Sequence, residues 1–352
     1  MENTFIDIKR MERKNLRKAA SAVAILMLLF LVFCIIYDFA LFYGINLAFN
    51  DEFVFKKSYM HEAAKFFYSF LPNMKMIENF TIQILSLITS FGIVQLFYKF
   101  RPMPLLSKKN TTENNYGEGK TSIPKLVGCC FCVAMGINLI TSMFISAVTW
   151  LIKQLGIVLP EPNFDFGSNS FANLLIYFLS LCVFAPLIEE FLLRGCVLKI
   201  LKPYGNWLAI FVSAFFFALL HGNIGQGFGA FFIGVIFGFV AVKTNSILPT
   251  IILHSLNNFY SFLSVIIQNL NHKNTMTLFY VLSSIFTMAF IVIIVLTIVF
   301  ICVYRKKFKL NDNNTTSLTR KESYATLFTS VFICLYLGYE VFRFVEQIVF
   351  SN

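Results

Sequence analysis

The chain has 352 residues, of which 57% are hydrophobic and only 13% charged, with a mean hydropathy of +0.72. A soluble domain of this length carries about twice that share of charge, so a membrane protein is the class the composition leaves. The net charge of +11 does not point to nucleic acid, because its lysines and arginines sit in short runs beside apolar segments, as membrane anchors do.

In chain order, residues 1–18 form a basic segment with Lys9, Arg10, Arg13, Lys14, Arg17 and Lys18, expected to lie on the membrane surface. An N-terminal membrane region, 19–170, follows. Its spans run from about Ala19 to Ile45, Asn79 to Tyr98 and Leu126 to Ile152, each near the roughly 20 apolar residues that cross a bilayer. The first is too long for the apolar part of a cleavable signal peptide. Between the spans lie Asn46–Glu78, polar with several aromatics, then the hydrophilic loop Lys99–Lys125 with the low-complexity run Asn110–Gly117. The Gly156–Ser170 loop, with Pro160 and Pro162, closes this region. Residues 171–270 hold four further runs, Phe171–Leu201, Trp207–His221, Phe228–Val242 and Ile247–Leu270. The C-terminal membrane region, 271–352, holds Met276–Tyr304 and Tyr324–Phe350, the last of which carries Glu340, Arg343 and Glu346. The expected fold is therefore all-α, a polytopic membrane bundle of about eight to nine spans around a four-helix catalytic core. The basic loops fall on one side of this count, which puts the N-terminus in the cytoplasm of a multi-pass protein of the cell membrane. The eight cysteines lie mostly within apolar runs without zinc-site pairing, as free thiols.

Three polar clusters interrupt the 171–270 runs. Ionisable groups at bilayer depth are expensive and usually line a cavity or pathway. Glu190 and Arg194 are four residues apart, so on a helix they share a face and can pair. Glu189 is turned about 100° away and is not neutralised by that pair. In a poorly hydrated site its carboxylate becomes a stronger base toward water. The alternative is an interfacial ion pair at a helix end. Phe217 and His221 also share a face, so the ring can pack on the imidazole; the alternative is a satisfied core histidine. His254 and Asn258, again four apart, present imidazole and carboxamide together, or else join two helices by hydrogen bonds. Counted along ideal helices from the basic side, Glu189 lies about 18 Å deep, His221 about 21 Å and His254 about 10 Å, compatible with one cavity. The glycines from Gly222 to Gly229, with Gly234 and Gly238, would let the neighbouring helix approach closely.

Other chemistries lack their residues. His61-Glu62 is followed by Lys65 where a zinc helix needs a second histidine. There is no G-x-S-x-G elbow and no phosphate-binding loop. Tyr37-Asp38 lacks the second aspartyl motif of presenilin-like proteases.

The patterns E-E-x-x-x-R at Glu189, F-x-x-x-H at Phe217 and H-x-x-x-N at His254 occur in that order. The set, from Pro186 to Tyr260, resembles the CAAX-protease and bacteriocin-processing family of intramembrane endopeptidases. The resemblance implies an all-helical membrane protease. In it Glu189 and His221 activate water, His254 and Asn258 stabilise the oxyanion, and Glu190, Arg194 and Phe217 support them. The family is often labelled metalloprotease, and a metal-free glutamate mechanism is also proposed for it. Without a closely spaced ligand pair no cofactor is expected here, with zinc held by Glu189, His221 and His254 as the alternative. Residue usage rich in Phe, Ile, Asn and Lys is that of a low-GC bacterium. A membrane peptide or protein is then the expected substrate, with the lipid bilayer as the other partner and no nucleic acid. A non-catalytic bacteriocin-immunity or scaffold protein, or a proton-coupled transporter, would carry the same intramembrane groups.

Overall fold

An apolar run inside a bilayer has no water to satisfy its peptide groups and must close its hydrogen bonds internally. In the computed structural model every regular element among the described residues is accordingly helical; these are 2–49, 74–107, 123–154, 171–270, 276–304, 310 and 316–350. The His61–Lys65 segment, the Asn110–Gly117 run and the Pro160/Pro162 loop lie outside them.

Helix α1 is Glu2–Phe49, α2 Met74–Tyr98 and α3 Ile123–Gln154. Helix α4 is a continuous rod in five pieces: α-helical at Phe171–Phe178, Ala185–Glu190 and Lys199–Leu201, and π-helical at Leu179–Phe184 and Phe191–Leu198. After a tight turn at Lys202–Tyr204 come α5 Asn206–Leu220, α6 Ile224–Thr244, α7 Leu248–Leu270 and α8 Met276–Tyr304. Helices α9 (Arg320–Phe328) and α10 (Val331–Phe350) complete the chain.

Five helices are long and apolar enough to cross a membrane, or six if α9 and α10, bent by 66° at their junction, form one span. The molecule is thus a multi-pass membrane bundle, with fewer full spans among the described residues than the eight to nine expected. Two expected spans depart for visible reasons. Helix α5 has 15 residues, about 22 Å, short of the roughly 30 Å hydrocarbon layer. The final run breaks at Thr329 and Ser330, and its first half is a polar helix started by a capping box of Thr319 and Glu322.

Two loop expectations also change. The basic N-terminal segment is not a separate surface element. It continues as the first turns of α1, where Lys9 and Arg13 reach Glu322 at 3.4 and 2.6 Å and Glu12 accepts from Ser317 N at 2.7 Å. The start of the Lys99–Lys125 loop is no free hydrophilic strand either. Met103 is buried and its N–H donates to Gly195 O at 2.8 Å, while Pro104 O and Leu105 O accept from Ile247 N and Leu248 N. That stretch straps α4 to the start of α7.

Helices α5 and α6 pack directly on each other. Asn223 opens α6 by accepting from Gln226 N at 2.8 Å, and Asn245 ends it in the left-handed region, φ 46°. Gly227, Gly234 and Gly238 repeat along one face of α6. A methyl at Gly234 would stand 3.0 Å from Phe217 and 3.1 Å from Ala214, and one at Gly227 2.9 Å from Ala218 O. The glycine stretch thus acts as expected and seats α6 directly on the helix that ends at His221. Such small-residue contacts replace the hydrophobic drive that lipid removes.

Candidate active site

The helix that carries Glu189 and Glu190 is irregular on both sides of them. Pro186 sits in the first turn of the six-residue α piece Ala185–Glu190, and a π-helical stretch borders each end. In a π turn the carbonyls no longer pair with the usual fourth amide, a geometry concentrated at functional sites. Here carbonyls within these stretches serve as sockets for neighbours. Leu181 O accepts from Asn258 Nδ2 at 2.9 Å, Leu193 O from Ser213 Oγ at 3.1 Å and Gly195 O from Met103 N at 2.8 Å. Helices α7 and α5 and the 99–107 strap are all pinned to α4 this way.

Glu190 and Arg194 are both fully buried. They pair as their four-residue spacing predicts, Nη1 to Oε1 at 2.7 Å. Arg194 also donates to Gly234 O at 2.9 Å and lies over the Phe217 and Phe237 rings, at 4.8 and 5.4 Å to their centroids. A guanidinium removed from water is kept by such combined hydrogen bonds and ring faces. The same Glu190 Oε1 takes His254 Nδ1 at 3.0 Å. Because an ionised carboxylate only accepts, Nδ1 carries the proton, and Nε2 of His254 is the nitrogen turned to the other side.

There it meets Glu189. Glu189 Oε2 stands 3.8 Å from His254 Nε2, and Glu189 is about a quarter exposed while His254 is almost completely buried. The two adjacent glutamates therefore flank opposite nitrogens of one imidazole: Glu190, sealed and paired with Arg194, bonds Nδ1, and Glu189, at the accessible edge, faces Nε2. The helical count had left Glu189 and His254 about 8 Å apart in depth. The π stretch Phe191–Leu198 rises less per residue than that count assumes and so removes part of the difference, about 3 Å.

His221 occupies the turn after α5. Its Nδ1 lies 2.9 Å from Phe217 O; a carbonyl only accepts, so Nδ1–H donates and Nε2 presents the lone pair. The Phe217 ring packs edge-on against both imidazoles, at 4.9 Å from His221 and 5.4 Å from His254, and so joins the two histidines. Asn258, one turn beyond His254, commits one amide hydrogen to Leu181 O and accepts from Asn257 Nδ2 at 3.4 Å. Its second amide hydrogen is uncommitted by these bonds. Glu189, Glu190, Arg194, Phe217 and His254 thus form one contact network, with His221 attached through Phe217 and Asn258 through the π turn.

Three partners escaped the sequence reading. Phe237 lies 5.3 Å from the His254 ring, but one phenylalanine among 44 carries no signal. The Gly234 and Leu181 carbonyls are backbone groups and have none at all. As for a metal, among the described residues no three His, Cys, Asp or Glu side chains gather to hold one. The donor set as arranged does not form the three-ligand cage of a catalytic zinc site.

Residues 171–260 match the family model of Rce1-like type II CAAX prenyl endopeptidases, the stretch that contains every residue of this network. No curated protein and no solved structure matches the chain.

Proposed function

We infer that this chain, a member of the type II CAAX prenyl endopeptidase family through its residues 171–260, hydrolyses peptide bonds within the membrane with Glu189, His221, His254 and Asn258. One observation carries the reading: the partly accessible Glu189 carboxylate faces His254 Nε2 at 3.8 Å, beside a sealed Glu190–Arg194 pair. That separation is too long for a direct hydrogen bond and suits groups that share a small third partner.

In the proposed reaction Glu189, with His221 Nε2 as the second acceptor, takes a proton from water as the oxygen attacks the peptide carbonyl. The new C–O bond forms as the carbonyl electron pair moves onto oxygen. His254, carrying a proton on Nε2 as well as on Nδ1, and the second amide hydrogen of Asn258 donate to that oxyanion, with Glu189 and Glu190 together offsetting the charges of Arg194 and His254. Collapse of the intermediate breaks the C–N bond, and the proton taken from water passes to the leaving amine. No step uses a metal. The substrate is a membrane-associated peptide or protein, and the chain sits in the cell membrane with its N-terminus in the cytoplasm.

The test is cleavage of membrane peptides by the purified protein in lipid discs. If Asn258 donates only in the transition state, Asn258→Ala lowers kcat by about 10²–10³-fold with little change in KM. An unchanged kcat would reduce Asn258 to a brace for α4. Activity is also expected to survive prolonged EDTA treatment. One tightly held zinc per chain by metal analysis, lost in His254→Ala, would replace the glutamate mechanism with a zinc one.

A further inference from the structure

The last helix lies outside the matched segment, yet it reaches the histidine turn. Arg343 Nη2 donates to Leu219 O at 2.8 Å, and Glu340 Oε2, one turn earlier, holds the same nitrogen at 2.6 Å. Leu219 stands two residues before His221. Its carbonyl is among the last four of α5, which have no helical partner of their own, and it also accepts from Gly222 N at 3.0 Å. Gly222 adopts φ +71°, and a methyl there would lie 3.1 Å from Arg343 Nη2, so the turn after His221 is shaped to admit the guanidinium. Two turns of α10 before Arg343, the fully buried Tyr336 packs on Phe216 at 5.1 Å. Helix α10 is thus fixed to the last turns of α5 at Phe216 and Leu219, just before His221.

A cation at a helix C-terminus is stabilising, and more so away from bulk water; the nearly buried Glu340 both neutralises and aims it. We propose that Arg343, held by Glu340, is a positioning residue for His221. It clamps the final turn of α5, which keeps Nδ1–H of His221 on the Phe217 carbonyl and leaves Nε2 free for the water. This rests on the role given to His221 above, and it gives the C-terminal helix a part in the reaction.

The experiment compares wild type, Arg343→Met, Arg343→Lys, His221→Ala and the Arg343→Met/His221→Ala double variant, each full-length in lipid discs. Small displacements of a catalytic group cost up to about 100-fold. Arg343→Met is therefore expected to lower kcat by about 10- to 100-fold with KM little changed, and Arg343→Lys to recover much of it. In the His221→Ala background the same change is expected to have no further effect, since both act through one group. Full additivity would assign Arg343 to general stability and overturn the proposal. A second arm does not need proteolysis. Nitrogen NMR of protein labelled in its imidazole rings is expected to show His221 as the single Nδ1–H tautomer in wild type and as a mixture in Arg343→Met. Unchanged tautomers would overturn the clamp whether or not the protein cleaves anything. Tautomers lost in Arg343→Met, in a protein that cleaves nothing, would uphold the clamp and sink the protease reading instead.

Discussion

Glu189→Gln is expected to abolish proteolysis, with a fall of about 10²–10⁴-fold, while expression and thermal melting stay at wild-type levels. The amide keeps the size and hydrogen-bonding reach of the side chain and removes only its basicity. Stability is spared because Glu189 is the exposed member of the two glutamates and makes no bond to Arg194. The contrast with its neighbour sharpens the test. Glu190→Gln removes the charge that Arg194 and His254 share at Oε1, so it should lose folded protein as well as turnover. Full activity in Glu189→Gln would end its assignment as the base.

The largest loss of stability is expected from Arg194→Ala. A buried ion pair broken from one side leaves an unpartnered charge in a low dielectric, which costs about 3–5 kcal/mol. Arg194 also fills the space between the Phe217 and Phe237 rings and satisfies Gly234 O, so its removal opens a cavity against α6. The variant should melt well below wild type and give little folded protein. Replacing both partners by apolar residues, Glu190→Leu with Arg194→Met, should restore much of the stability but not the activity, because His254 then loses its anchor at Nδ1. If Arg194→Ala melts like wild type and only turnover falls, Arg194 belongs to the reacting groups rather than to their support.

What the sequence made legible was the local part of this site. Glu190 with Arg194, and Phe217 with His221, stand four residues apart on one helix, and helical geometry alone brings such pairs together. The intramembrane setting of the acids and histidines was legible too, since hydropathy shows where charge is out of place. What joins those pairs was not. The shared Glu190 oxygen, the Phe237 face and the Gly234 and Leu181 carbonyls arise from helices meeting, and no periodicity announces a backbone acceptor. Arg343 was visible as a charge in the last apolar run, but nothing in that run names what it grips. Its partner is a carbonyl 124 residues away, a distance across which local rules say nothing. The π-helical stretches left no mark either, since Leu179–Phe184 and Phe191–Leu198 have the composition of any apolar helix.

Those two stretches bear on how this helix can vary between relatives. A π turn holds an extra residue that an α-helix would leave out. Deleting one residue from Phe191–Leu198 would let that stretch return to regular α-helical bonding and change how the Leu193 and Gly195 carbonyls are presented to Ser213 and Met103. A deletion in Leu179–Phe184 would do the same to the acceptor for Asn258. Many side chains along this rod can change identity, because much of what neighbours grip is peptide backbone. Its irregular pitch depends on the number of residues between Leu179 and Leu198, so a deletion there is expected to disturb these backbone contacts more than many single substitutions would.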